Sequence, residues 1–441
     1  MSNAVDQFEA AGFAPRSALR KAELLGDCAR ALGCKTPADV FYVPGRLEVM
    51  GKHTDYAGGR SITCALDRGI VVAVQPRSDS HCLIHACDLR QSVGFDLHAE
   101  LKAPASGWSN YVMSLARRLS RNFGPPLQGA DIAFAADLPH AGGMSSSSAL
   151  VVAAYLALNS VNRFDDRPAF RQDIHHVEDL AGYLGTCENG QNFGKLVGDR
   201  GVGTFGGSED HTAILCSKCG QLSMYSYNPV RVERRLEMPP ELALVIGVSG
   251  VVAEKTAEAR DRYNHIAQMI SAIMDVLRAE GWSKPTLAAA IGDDPGATQC
   301  VAQILSKSRH PLYKPAALLA RFEQFAQEHQ RLAPQLMDSL ERRDFTGLGL
   351  TAEISQTLAE TNLGNQVPET IALVRLARQL HATAASAFGA GFGGSVWAMV
   401  NRNEVESFIA QWQQQYLKMF PQRAPQAKFF ATEPMGGAMR L

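Results

Sequence analysis

Leu138-Pro139-His140-Ala141-Gly142-Gly143-Met144-Ser145-Ser146-Ser147-Ser148-Ala149-Leu150 is the stretch on which the fold turns. Upstream, residues 130–138 alternate in hydrophobicity and predict a strand. Downstream, residues 149–161 are an Ala/Val/Leu run and predict a buried helix. Two glycines and four serines therefore open a core helix. The first N–H groups of a helix have no partner inside it and its dipole is positive there, so this is a place for an anion. Gly142 and Gly143 let the backbone approach a phosphate with no Cβ between, and Ser145, Ser146, Ser147 and Ser148 add hydroxyls for phosphate oxygens or a hard cation. The plainer alternative is an N-cap with a flexible entrance, for which one or two serines suffice.

The chain has 441 residues, 46% apolar and 20% charged, the balance of a soluble globular protein with core enough for two or three domains. A formal net charge of −1 argues against a nucleic-acid or anionic-membrane binder. No apolar run approaches the roughly 20 residues of a membrane span, and no signal-peptide core opens the chain. Nine scattered cysteines predict reduced thiols and a cytoplasmic protein. Cys216 and Cys219 form a lone C-x-x-C with no second pair at zinc spacing, and read as a turn.

Working outward, residues 8–33 predict a helix and 40–43 a short strand that runs into the polar cluster Arg46, Glu48, Lys52, His53 and Asp55. These are too many ionisable groups for a core strand. They are either a solvated loop or a cluster drawn inward by its apolar flanks, where charges need partners or a ligand. Strands are predicted at 61–74, 82–86 and 92–97, and helices at 107–121 and 169–191. Strands and turns follow from 212 to 236, Pro239-Pro240 marks a boundary, and 242–248 is a buried strand. The rest is mostly helical, closing with strand 395–400, helix 404–419 and strand 427–432. Adjacent His175 and His176 cannot share a helix face and read as surface residues.

Two segments match G-x-G-x-x-G, at Gly201, Gly203, Gly206 and at Gly389, Gly391, Gly394, but neither lies between a strand and a helix in that order. The nearest approach to a P-loop, Gly45 to Gly51-Lys52, has five intervening residues and ends in His53. A kinase without a P-loop still needs a backbone cradle for the phosphates, a magnesium ligand and a group at the acceptor hydroxyl. The glycine-rich segments 45–59, 139–148 and 389–395 can supply them.

With those segments in hand, the chain resembles the galactokinase branch of the GHMP family of small-molecule kinases. Pro44-Gly45-Arg46, Gly51-Lys52-His53-Thr54-Asp55-Tyr56 and Gly58 are similar to its sugar signature. Trp108-Ser109-Asn110-Tyr111 is similar to its Trp-Ala-Asn-Tyr segment, Gly142–Ser147 to its phosphate loop, and Gly389–Ser395 to its third motif. The resemblance implies a two-lobed α/β (α+β) fold. Its first lobe, 1–238, would be like domain 2 of ribosomal protein S5, and its second, 239–441, ferredoxin-like with added helices. It implies an ATP-dependent sugar 1-kinase, most simply for galactose, using Mg2+. Asp210 would be catalytic with Arg46 beside it. Lys52, His53, Asp55 and Gly207 would bind sugar. Trp108, Gly142, Gly143 and Ser145–Ser148 would bind ATP, and Ser147 and Glu188 would hold the metal. The partners implied are a monosaccharide and ATP, with no nucleic acid, no membrane and no obligate protein partner. A carboxylate can orient the anomeric hydroxyl and take its proton, and a neighbouring arginine keeps it ionised and stabilises the transferring phosphoryl.

The departures gather at the sugar. Glu48 stands where the family has Asn, and Lys52 where it has a sugar-binding Glu. Lys52 either pairs with Glu48 or meets a substrate carboxylate, as in a uronic acid. About ten extra residues around 191–201 precede Asp210 and are expected beside the sugar, and Lys255-Thr256-Ala257 replaces a family tyrosine. Another sugar such as arabinose or a uronic acid, and a silent sugar/ATP sensor, are the alternatives.

Overall fold

The computed structural model describes residues 2–139, 142–251 and 257–441, without the side chains of residues 2, 3 and 257–260. Two antiparallel-dominated sheets organise the chain. The first contains β1 (Asp39–Met50), β2 (Arg60–Pro76), β3 (His81–Ala86), β4 (Gln91–Asp96), β5 (Ala130–Ala136), β6 (Gln221–Ser226) and β7 (Arg231–Glu237). The second contains β8 (Leu242–Val248), β9 (Ala384–Phe388), β10 (Ser395–Asn401) and β11 (Lys428–Thr432). A last short strand, β12 (Met439–Arg440), returns to the first sheet and pairs with β1. The orders are β12-β1-β2-β5-β3-β4, with β6 and β7 branching from β2, and β11-β8-β10-β9.

The long strand β2 explains the branching. Its first residues, Arg60–Thr63, pair with β6, and its last, Ile70–Pro76, pair with β5. Its Ile/Val-rich sequence suits a strand buried on both faces. Helix Pro15–Ala31 covers one face and the serine-run helix, Ser146–Asn162, covers the other. That helix has no polar face to offer: from Ala149 to Leu158 nearly every side chain is buried. The second sheet has its own layer, in which Leu373, Ala377, Phe408, Trp412 and Tyr416 close over β8 and β10.

Three expectations are corrected. The strand expected at 40–43 runs to Met50, so Arg46 and Glu48 are strand residues. The register shifts on both sides of them, between Pro44 and Arg46 and between Glu48 and Met50. Such irregularities re-aim side chains, which is how a charged pair fits in a core strand. The strands expected from 212 begin later, because Glu209–Cys216 is a helix, so Asp210 stands in a first helical turn. The helix expected over 169–191 is two, Pro168–Asp173 and Val177–Asn189, broken at extended Ile174. Strands β9 and β12 had no clear periodic signal. His175 and His176 are exposed as expected, and no helix of the described residues is long and apolar enough to cross a membrane.

Candidate active site

Between the two sheets lies a cavity of about 610 Å³. The serine run forms one wall: Ser145, Ser146, Ser147 and Ser148 all line it. The capping alternative fails here. Ser145 is the N-cap, in the left-handed region at φ 55°, and no side-chain cap hydrogen bond forms. The Ser145 hydroxyl therefore does not cap its own helix. Gly143, at φ 72°, lies against Gly389, where a Cβ would come within 2.9 Å of the Gly143 carbonyl oxygen. Ser395 Oγ donates to the Gly142 carbonyl, tying the same two loops together.

Arg46 crosses from the first sheet to this wall. Its Nε donates to Asp210 Oδ1 at 2.6 Å and its Nη1 donates to the Gly143 carbonyl. Ser148 Oγ reaches the other Asp210 oxygen at 3.4 Å. Burial works against the Arg46 charge, but Asp210, Glu209 and Glu48 outweigh it and hold the guanidinium more firmly protonated than usual. The Asp210 side chain keeps 28% exposure against 6% for Arg46, so the carboxylate, and not its partner, is the reachable group.

Asp55 and His53 stand across the cavity. Burial lifts Asp55 to about 6 against the pull of the Glu209 backbone N–H, which donates to Oδ2 at 3.2 Å. Gly207 makes this approach possible: a Cβ there would meet Asp55 Oδ2 at 2.4 Å and the Tyr56 nitrogen at 2.8 Å. Burial, with Arg321 nearby, lowers His53 to about 4, so the ring is neutral at pH 7. Both its nitrogens have partners at 3.1 Å, the Tyr56 hydroxyl at Nδ1 and the Ala390 carbonyl at Nε2. A neutral ring donates from Nε2 and accepts at Nδ1 there. Glu188 lines the cavity beside Ser147, and His211 Nε2 lies 3.1 Å from Glu188 Oε1.

Of the residues expected at the site, Arg46, His53, Asp55, Gly143, Ser145–Ser148, Glu188, Gly207 and Asp210 converge on one cavity. Three do not line it. Gly142 sits behind the loop with its carbonyl held by Ser395. Trp108 donates its indole N–H to Gln91 at 2.8 Å, on the edge strand β4. It starts the helix Trp108–Phe123, and helical spacing gives the cavity Gly107, Asn110 and Tyr111 instead. Lys52 is 1% exposed and turned under the cavity: Nζ donates to Ser355 Oγ at 2.8 Å, and Ser355 donates to Glu328 Oε1 at 2.5 Å. That buried carboxylate draws the ammonium toward the helical layer.

Sequence reasoning missed Glu209 and Tyr263. Tyr263 lines the cavity with its ring 5.3 Å from His53. It comes from the helix Ala257–Ala279, about two turns beyond the substituted segment. Lys255 and Thr256 themselves, and the Ala257 side chain, lie outside the described residues. The extra residues 191–201 do not line the cavity but pack on the helix Trp108–Phe123, where Arg117 Nε donates to Asp199 Oδ2 at 2.6 Å.

Three family models match in chain order: the galactokinase galactose-binding signature over residues 29–76, the GHMP kinase N-terminal domain over 110–194 and the GHMP kinase C-terminal domain over 336–418. The chain belongs to the galactokinase group of the GHMP kinase family. This GHMP kinase is 29% identical to a galactokinase of Roseiflexus sp. (strain RS-1) across 86% of its own length and 88% of the relative's. It is 27% identical to a galactokinase of Haemophilus influenzae across 84% and 87%. Among solved structures, Lactococcus lactis galactokinase complexed with galactose superposes with a TM-score of 0.78 at 19% identity, covering 96% of this chain and all of that one. The mevalonate kinase of Methanococcus jannaschii shares the fold more distantly, with a TM-score of 0.52 at 14% identity over 91% and 99%. As a GHMP kinase, the chain is a phosphotransferase with an alcohol acceptor.

Proposed function

We propose that this protein is an ATP-dependent sugar 1-kinase that phosphorylates the anomeric hydroxyl of galactose, with lobes 1–238 and 239–441 meeting at the cavity. One observation carries the reading: Arg46 joins Asp210 to Gly143, so a single guanidinium links the acid of the cavity to the glycine-serine loop. The loop amides and Ser145–Ser148 then grip the phosphates at the positive end of the helix, where an anion is favoured. The acceptor hydroxyl lies against Asp210, which orients it and takes its proton as its oxygen closes on phosphorus. Arg46 keeps that carboxylate in place and faces the charge that spreads over the transferring phosphoryl.

Ser147 and Glu188 offer one hydroxyl and one buried carboxylate, hard oxygens that fit Mg2+, an ion that takes its other ligands from water and phosphate. Bound there, it would neutralise charge on the phosphates of ATP. Closure of the two lobes over both substrates would exclude water.

The sugar end favours a neutral sugar. Glu48, Asp55, Glu209 and Asp210 line it, with Arg46 paired and Lys52 turned away, so a uronic acid would meet more like charge than cation. The intact Asp210, Glu188 and serine run speak against a silent sensor. Nine free cysteines support a reducing compartment, the cytoplasm.

ADP release with Mg-ATP and a panel of free sugars tests this. Galactose turnover is expected, and Asp210→Asn should lose about 10²–10⁴-fold in kcat while keeping nucleotide affinity. Unchanged turnover in that variant refutes the mechanism.

A further inference from the structure

Two carboxyl groups in the cavity have no hydrogen-bonding role in the arrangement above. Glu48 and Glu209 are 4% and 5% exposed, and both line the cavity. Neither carboxyl has a hydrogen bond or ion pair among the described residues, and Glu48 Oε1 is sealed from solvent with no partner. They arrive from different elements. Glu48 follows Arg46 by two on β1, while Glu209 opens the helix Glu209–Cys216.

A buried carboxyl without a hydrogen bond is costly in either protonation state. Glu48 feels Lys52 and Arg46 in its favour and Glu328 and Asp210 against it. Glu209 feels Glu48, Asp55 and Asp210 against it and only Arg46 in its favour. A cavity floor that needed only to be filled would be more stable with apolar side chains. The other polar groups at this end are engaged: both nitrogens of His53 have partners, and Asp55 accepts from Glu209 N–H. Glu48 and Glu209 therefore carry the open hydrogen-bonding capacity. An ionised carboxyl accepts from hydroxyls, and a neutral one can also donate, which matches the hydroxyls of a polyol.

We propose that Glu48 and Glu209 are specificity residues that together bind hydroxyl groups of the acceptor sugar away from its reacting oxygen. They perform the reading that position 52 gives up when Lys52 turns to Ser355. The proposal rests on the sugar-kinase reading of this site.

The test is steady-state kinetics with galactose and its 2-, 3-, 4- and 6-deoxy analogues at saturating Mg-ATP. For the wild type, removing at least one hydroxyl should lower kcat/KM by about tenfold or more, because a buried carboxyl is then left unpaired. Glu48→Gln and Glu209→Gln should each raise the sugar KM about tenfold, leave the ATP KM within about twofold, and flatten the preference for that hydroxyl. Their unfolding midpoints should not fall below the wild type's, as they would if the carboxyls were structural. Variants with an unchanged sugar KM and an unchanged deoxy ranking overturn the proposal. So does a loss confined to kcat, which would mean the pair acts through Arg46. Should either variant fail to fold, a wild type that tolerates every deoxygenation within about threefold is enough to overturn it. A wild type that phosphorylates no sugar refutes the kinase reading itself, a result distinct from an active enzyme indifferent to these substitutions.

Discussion

Glu48→Gln also makes a stability prediction whose size can be worked out. Burial lifts the Glu48 carboxyl from 4.5 to about 7, although Lys52 and Arg46 pull it down; Glu328 and Asp210 push the same way as burial. The folded protein thus keeps a proton that the unfolded chain releases above pH 4.5. The stability linked to it is fully present below that pH and is lost as pH rises through about 7. A displacement of about 2.5 pH units at about 1.4 kcal/mol each is worth about 3 kcal/mol. Glutamine has nearly the volume of the protonated acid and cannot ionise. The variant should therefore exceed the wild type by less than about 1 kcal/mol at pH 5 and by about 3 kcal/mol at pH 8. Removing the Glu48 charge also relieves Glu209, which adds in the same direction. Urea unfolding without sugar, followed by the fluorescence of the four tryptophans at pH 5, 6, 7 and 8, measures the difference. Asp55 and His53 titrate in both proteins and cancel. A stability difference that does not change with pH, or a variant less stable than the wild type at pH 8, refutes the reasoning. A variant that gains stability while losing sugar affinity would carry the mark of a residue kept for function.

Other perturbations separate the cavity from its surroundings. Lys52→Met leaves Glu328 buried without its cation and should cost about 3 kcal/mol in chemical denaturation, while the sugar KM stays within about twofold. Tyr111→Ala should raise the ATP KM several-fold, whereas Trp108→Phe, changed only at the Gln91 contact, should not; the reverse order would restore the tryptophan to the nucleotide site. Gly207→Ala drives a Cβ into Asp55 Oδ2, 2.4 Å away, so the sugar KM should rise about tenfold or more with ATP binding intact by titration calorimetry.

Much of the site was legible in the chain. The serine run, the polar cluster after Val43 and the glycines near 207 and 389 are local patterns, and local patterns specify local geometry: an open helix end, close backbone approaches, a turn that admits a carboxylate. The four serines were named from such a pattern, Arg46, Asp210 and Glu188 from the family resemblance, and all of them line one cavity. Side-chain direction was harder to read. Lys52 and Trp108 sit in the right segments, yet a buried glutamate draws one and a strand-edge glutamine holds the other. Those partners lie hundreds of residues away in one case and on a separate strand in the other. Strand β1 likewise looked too polar for a core, because its arginine is answered from elsewhere, Arg46 by Asp210 on a helix and by the Gly143 carbonyl.

Sequence alone determined that a helix would begin with unpaired amides beside glycines and serines, since helix ends are set by the residues that form them. Only the tertiary structure decided which charges face one another. Burial and pairing are properties of neighbours brought together by folding, and Glu48 and Glu209, 161 positions apart in the chain, acquire their meaning only where β1 and a short helix close on the same floor.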